Sequence, residues 1–90
     1  MPKSIDKKRE KTAKETITKA KDAFKHFIPR DTIQDIEITE CEKKDGAYEL
    51  SGPVGTKSPT GKLKTFHYTA TVIVDEEGNG SISSLSVKEL

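Results

Sequence analysis

The apolar residues of this chain change their spacing at Pro29, from a helical repeat to an alternating one. Before Pro29 they lie three or four residues apart, which places one apolar stripe along a helix: Ala13, Ile17, Ala20, Phe24 and Phe27. Because proline disfavours helical backbone in the residue before it, the spacing predicts one helix over about residues 5–28. Residues 1–12 carry little apolar surface, so we expect this end of the helix to fray.

After Pro29, apolar and polar residues alternate in four segments, as they do in strands with one buried face. These segments are 32–42, 47–52, 62–75 and 81–90. Ile82 is out of phase with Leu85 and Val87, which predicts a bulge or a bend in the last strand.

Turn residues separate these predicted strands. Asp45-Gly46 is a strong hairpin signal, and "EEGNG" (76–80) indicates a further turn. Gly52-Pro53 is expected to end the second strand, because proline cannot donate to a strand ladder. A loop of about ten residues, Gly52 to Gly61, would then lead to the third strand.

Connections this short favour antiparallel neighbours. The sequence therefore predicts an α+β fold, in which one N-terminal helix packs on a four-stranded antiparallel meander sheet. Ninety residues make a single domain, 1–90. The face toward the helix is expected to hold Ile36, Ile38, Tyr48, Leu50, Phe66, Tyr68, Val72, Val74, Leu85 and Val87.

The opposite face of the sheet is expected to be almost uncharged toward the last two strands. It would carry Thr39, Cys41, Ala47, His67, Thr69, Thr71, Ile73, Ser84 and Ser86. On this face Cys41 and His67 would lie roughly 10 Å apart, since neighbouring strands are ~4.8 Å apart. That separation is too large for a thiol–imidazole pair.

A long N-terminal helix followed by an antiparallel meander resembles the cystatin-like α+β roll, to which the larger NTF2-like domains are related. The resemblance covers the whole chain and rests on the order of its elements. Protease-inhibiting cystatins carry a Q-x-V-x-G hairpin and a later Pro-Trp. This chain has no tryptophan, and "SGPVG" (51–55) shares only the final glycine. The resemblance therefore implies a fold and no particular activity.

The net charge of +1 conceals two unlike halves. Residues 1–30 hold ten Lys and Arg against four Asp and Glu (+6), and residues 31–90 hold six against eleven (−5). The halves can attract each other within one fold, or the basic half can meet an anionic partner. The single cysteine allows no internal disulfide, and no apolar run predicts a signal peptide or a membrane span, so we expect a cytoplasmic protein.

The stretch "GTKSPTGK" (55–62) invites comparison with a P-loop. Its glycines are separated by five residues instead of four, and Leu63 follows Lys62 where a hydroxyl is required. A strand is predicted next, so no helix N-terminus would face a phosphate. We interpret the stretch as a hairpin loop that touches a partner, if it has a function.

No residues show the spacing of a metal or cofactor site, and none is expected. The carboxylates Glu37, Glu40, Glu42 and Glu49 are interpreted as a solvated edge. The leading hypothesis is a non-enzymatic protein-interaction module that binds a protein partner, or a second copy as a homodimer, through its outer sheet face or its edge strand. Its candidate partner-contact residues are Lys57, Lys62, His67, Thr69, Thr71 and Ile73.

The alternative hypothesis is a nucleic-acid-binding protein that uses the basic helix together with the 55–62 loop. Its candidate anion-contact residues are Lys7, Lys8, Arg9, Lys11 and Lys14. A third hypothesis is a small-ligand or enzyme pocket between helix and sheet. A membrane contact is not expected, because the apolar stripe is needed for the core.

Overall fold

A computed structural model describes the backbone of residues 2–90 and the side chains of residues 7–90. The N-terminal region forms two helices, α1 (Pro2–Thr18) and α2 (Lys21–Phe27), where the sequence predicted one. The helical hydrogen bonding changes at Ala20, whose N–H donates to the Ile17 carbonyl three residues back. α1 ends in Thr16-Ile17-Thr18, three β-branched residues that are poor helix formers, and this explains why the helix breaks there.

The apolar stripe of the helices faces the sheet except at its end. Ala13, Ile17 and Phe24 are fully buried, as the stripe predicts, but Phe27 is 50% exposed. The expectation that Phe27 belongs to the core is wrong: α2 ends at Phe27, and the next residue, Ile28, is buried instead. α2 does end before Pro29, as predicted.

Five antiparallel strands follow: β1 (Thr32–Ile36), β2 (Glu40–Lys44), β3 (Ala47–Lys57), β4 (Leu63–Val74) and β5 (Gly80–Glu89). They form one sheet in the order β1-β3-β4-β5, and β2 also pairs with β3. β1 and β2 therefore share one edge of β3 and correspond to the first predicted strand, split in two. The predicted α+β class and antiparallel sheet are confirmed, with five strands instead of four.

The split between β1 and β2 has a local cause. Across the gap, the Glu37 N–H still donates to the Pro53 carbonyl at 3.0 Å. Pro53 has no N–H to give back to the Glu37 carbonyl, and the Tyr68 hydroxyl donates to that carbonyl instead, at 2.9 Å. Gly52 leaves the room for this arrangement, because a Cβ there would collide with the Glu37 carbonyl oxygen.

The same arrangement explains why β3 does not stop at Gly52-Pro53. The N–H that proline lacks would point toward the split edge, so no hydrogen bond to β4 is lost. β3 continues to Lys57 with Val54 and Thr56 buried. The prediction of a ten-residue loop is therefore wrong, and only residues 58–62 connect β3 to β4.

The core lies between the two helices and one face of the sheet. The rings of Phe24 and Tyr68 pack edge to face, with their centroids 5.2 Å apart and their planes at 85°. All the residues predicted for the helix-facing side of the sheet are buried in this core or packed against it. Within the described residues, neither helix is both long and apolar enough to cross a membrane.

Two buried polar side chains join the start of β1 to β3. The Thr56 hydroxyl donates to the Asp31 carboxylate at 3.0 Å, and both residues are buried. Lys25 of α2 donates to the Asp31 backbone carbonyl at 2.8 Å. These bonds anchor the connection between the helices and the sheet.

Candidate functional site

β5 forms one edge of the sheet. It pairs with β4 on one side, and no strand lies on its other side among residues 2–90. The Leu90 N–H donates to the Thr65 carbonyl of β4 at 3.2 Å. Since backbone groups alternate in direction along a strand, the N–H and C=O groups of Leu85, Val87 and Glu89 point away from β4. This edge therefore offers a row of main-chain donors and acceptors to solvent.

A bulge divides β5 at Ser83. Thr71 pairs with Ser84 and the next residue, Val72, pairs with Ile82, so Ser83 has no partner in the ladder. The bulge predicted from the phase of Ile82 is confirmed. It allows Ile82, Leu85 and Val87 to pack against the core together. The regular part of the edge runs from Ser84 to the end of the strand.

The face of the sheet away from the helices, hereafter the outer face, carries most of the candidate partner-contact residues. His67, Thr69, Thr71 and Ile73 follow one another along β4 on this face. Ile73 is 46% exposed, and only Thr71 is partly covered. Next to them on β5 lie Ser86 and Ser84, opposite Thr69 and Thr71. The uncharged residues predicted for the outer face of the last two strands therefore lie next to one another.

Lys57 and Lys62 lie apart from that row. Lys57 is the last residue of β3, and Lys62 belongs to the connection that follows. Ser58 organises this connection: its N–H donates to the Lys62 carbonyl at 2.8 Å, and its hydroxyl accepts from the Lys62 N–H at 3.0 Å. β4 follows directly, so the arrangement of a P-loop is absent from this stretch.

The outer face becomes acidic toward β2. Lys44 forms ion pairs with Glu49 at 2.9 Å and Glu42 at 3.8 Å, and the hydrogen bond that its ammonium donates to the Glu49 carboxylate raises the pKa of Lys44. A shallow depression of about 290 Å³ lies here. It is lined by Glu40, Glu42, Glu49, Leu50, Ser51, His67 and Thr69. Within the part of the chain that the structure describes, no three His, Cys, Asp or Glu side chains are placed to hold a metal ion.

The sequence places Cys41 on the outer face, and this prediction is wrong. Cys41 pairs with the buried Leu50 and packs against the core on the helix side. The split at residues 37–39 shifts the alternation, so that Ile38 and Cys41 both point inward although Cys41 is three positions after Ile38. His67 lies on the opposite face of the sheet, so the two cannot form a catalytic pair.

Cys41 lies in a small depression of about 160 Å³ with Glu10, Lys43 and Tyr48. Partial burial raises the pKa of its thiol, and the nearby Glu10 carboxylate raises it further. A thiol held protonated in this way is a poor nucleophile, because the thiolate is the reactive form. The Cys41 environment is therefore that of a packed residue.

The candidate anion-contact residues lie on α1. Lys7, Lys8, Lys11 and Lys14 are exposed, while Arg9 is partly buried. Lys14 forms an ion pair with Glu10 at 3.5 Å.

The 55–62 loop does not join these lysines. Glu10 contacts the sheet beside Tyr48, and Lys57 lies nine residues further along β3. That spacing corresponds to about 30 Å at ~3.3 Å per residue. The helix lysines and the loop are therefore at opposite ends of the sheet and do not form one surface.

The fold defines the class of this protein as α+β, with two helices on one face of an antiparallel sheet. No protein-family model matches the chain, and neither a curated protein nor a solved structure matches it. The residues whose main chain forms the β5 edge, Leu85, Val87 and Glu89, are missing from the sequence-based set of contacts. The sequence does carry a signal for these residues, namely their alternation with Ser84 and Ser86 along the last strand.

Proposed function

We propose that this protein is a small interaction module, without enzymatic activity, that binds an extended protein segment along the free edge of β5. The observation that carries the proposal is the edge itself: a ten-residue strand, uncharged until Lys88, with outward main-chain groups at Leu85, Val87 and Glu89. Strand addition to such an edge is a common mode of peptide recognition, in which main-chain hydrogen bonds supply affinity.

The outer face beside β5 supplies contacts for side chains of the bound segment. Ser84 and Ser86 lie at the edge, and Thr69 and Thr71 of β4 lie directly behind them. Small hydroxyl side chains leave room for a partner and introduce no charge that must be desolvated. Thr69 and Thr71 of the predicted contact row, with His67 and Ile73, therefore belong to the proposed surface.

The proposal that the protein is not an enzyme is supported by the packing between helices and sheet. A pocket of the kind found in the larger NTF2-like domains would lie there, and in this chain Phe24 and Tyr68 meet at that place, both fully buried. The likeness to the cystatin-like roll remains a proposal about fold, supported by a helical N-terminus on an antiparallel sheet.

The proposed edge is tested with Val87→Pro and Val87→Ala. Both remove the valine side chain, but only proline removes the outward N–H, and neither touches a hydrogen bond to β4. Extended eight-residue segments selected from a displayed library on the immobilised wild-type chain should bind Val87→Ala and lose binding to Val87→Pro. Segments that bind both variants equally, or a selection that yields none, would reject the edge as the binding site.

A nucleic-acid partner is the alternative, favoured by the four exposed lysines on α1. Because these lysines lie far from the 55–62 loop, only one face of α1 would contact phosphates. Binding of a generic duplex at low salt should then weaken as salt rises, and Lys8→Gln with Lys11→Gln should reduce the salt dependence. A duplex that stays unbound at low salt would exclude this alternative.

A further inference from the structure

We infer that the segment bound along β5 is the same strand of a second copy, antiparallel to the first, with the two-fold axis passing at Ser86. This inference rests on the proposed function and names the partner of that same edge. Three observations carry it: the position of the bulge, the order of polar and apolar residues, and the position of the charge.

The bulge limits the segment that can pair. Ser83 interrupts the ladder and β5 ends at Glu89, so the regular segment is 84–89, with Ser86 and Val87 at its middle. A two-fold axis at Ser86 places Leu85 opposite Val87 of the second copy, and Val87 opposite Leu85. Both residues point their main-chain groups outward, so each of these two pairs exchanges two hydrogen bonds.

Residues 84–88 read nearly the same in both directions. Ser84, Leu85, Ser86, Val87 and Lys88 place an apolar residue on each side of the central serine and a polar residue at each end. Under the two-fold axis, each Leu85 meets a Val87 on the helix side of the sheet. These side chains are only half-buried in the single chain, so pairing would remove more of their apolar surface from water.

The charge of Lys88 selects this register over its neighbours. An axis at Lys88 would place two lysines directly opposite each other, and an axis at Val87 would place them diagonally, within reach of long side chains. An axis at Leu85 would bring the Ser83 bulge into the pairing. With the axis at Ser86, each Lys88 lies opposite Ser84 of the second copy, four residues along the strand from the other Lys88, and the bulge stays outside the pairing.

Pairing of five residues is small beside the ~800 Å² per partner of a standard interface, so we expect a concentration-dependent dimer. A dimer of this kind can be detected by cysteine cross-linking, which traps the associated form. A pair at Ser86 would be of the non-hydrogen-bonded type with Cα atoms ~4.5 Å apart, which lies within the range of a disulfide.

The experiment uses the full chain with Cys41→Ser, so that no other thiol is present. Ser86→Cys should form a disulfide-linked dimer under mild oxidation at least ~10-fold faster than Ser84→Cys, because pairing raises the effective concentration of the thiols at the axis. The two positions share the same face and neighbouring partners on β4, so Ser84→Cys is a matched control. Circular dichroism of the reduced variants checks that both are folded.

Equal rates for the two cysteines, or faster linking of Ser84→Cys, would overturn the register. A wild-type mass of one chain at every concentration, together with no Ser86→Cys linking, would overturn the second copy as partner. Neither outcome decides the proposed function. The edge itself is tested independently, by selecting peptide segments whose binding depends on the Val87 N–H.

Discussion

The two edges of the sheet differ in almost every property that governs strand pairing. The β1/β2 edge is split at residues 37–39 and carries Asp35, Glu37, Glu40 and Glu42. The β5 edge is a single strand with one bulge and no charge before Lys88. Splitting and charge are means by which proteins keep an edge from pairing with another chain. One edge of this sheet is therefore protected against pairing, and the other is left available.

The protection of the β1/β2 edge depends on three residues inside the sheet. Pro53 leaves the Glu37 carbonyl without a donor, Gly52 gives that carbonyl space, and Tyr68 supplies the hydrogen bond. β5 has no comparable arrangement in the described structure, where its bulge is the only irregularity that the ladder shows. Substitutions at the first edge should therefore change stability, and those at the second should change association.

The largest effect is expected for Gly52→Ala. The new Cβ would collide with the Glu37 backbone carbonyl, which cannot move without disturbing the split edge. We expect a loss of about 3 kcal/mol in the free energy of unfolding, the upper range for overpacking, measured by urea denaturation. Gly55→Ala is the control: its Cβ would meet the end of the Asp35 side chain, which can turn away. A loss for Gly55→Ala as large as that for Gly52→Ala would contradict this account.

A smaller effect is expected for Thr56→Val, which removes the buried hydroxyl that donates to Asp31 at the start of β1. Hydrogen bonds to charged groups contribute ~1.5–3 kcal/mol, so we expect a loss of about 2 kcal/mol. Amide hydrogen exchange should accelerate in β1 before it does in β5. Thr65→Val, exposed on β4, should change stability by less than about 0.5 kcal/mol. If amide exchange accelerated equally in β1 and β5, the hydrogen bond between Thr56 and Asp31 would not stabilise the β1 edge specifically.

Tyr68→Phe removes the hydroxyl and keeps the ring against Phe24. An unsatisfied buried carbonyl costs ~1–3 kcal/mol, and we expect a loss of about 1.5 kcal/mol at neutral pH, measured by urea denaturation.

The wild type should also lose stability in alkali through Tyr68. Burial raises the pKa of Tyr68 from 10.0 to about 12. Between these values the unfolded chain has released a proton that the folded chain keeps, so rising pH favours unfolding. The difference in unfolding free energy between wild type and Tyr68→Phe should therefore shrink from pH 10 toward pH 12. A constant difference across that range would mean that Tyr68 does not titrate as inferred.

The sequence predicts much of the fold because its alternation is a local signal. The hairpin at Asp45-Gly46, the bulge marked by Ile82 and the core-facing residues of the sheet all follow from it. The path of β3 through Pro53 could not be predicted in the same way. Whether a proline interrupts a ladder depends on which neighbour its nitrogen faces, and that is fixed by strands far away in the sequence.

The two wrong placements, Phe27 and Cys41, lie where an element ends or splits, which periodicity does not reveal. Phe27 is the last residue of α2, where Ile28 is buried instead, and Cys41 follows the split at residues 37–39. For the candidate site, alternation placed His67, Thr69, Thr71 and Ile73 on one face. It did not show that Lys57 and Lys62 lie apart from them, or that the main chain of β5 is the more available surface.

The smallest effect on stability is expected at the β5 edge. Ser86→Glu adds a charge to an exposed outer-face position, so the free energy of unfolding should change by less than about 0.5 kcal/mol. Self-association should nevertheless fall, because two carboxylates would lie opposite each other at the proposed axis. Glu40→Gln on the protected edge is the matched charge change: it removes a carboxylate where the split still prevents pairing, so the mass measured by sedimentation should stay that of the wild type. If Glu40→Gln raised the mass, charge alone would be what protects the β1/β2 edge. If Ser86→Glu left the mass unchanged, the β5 edge would not be the dimer contact.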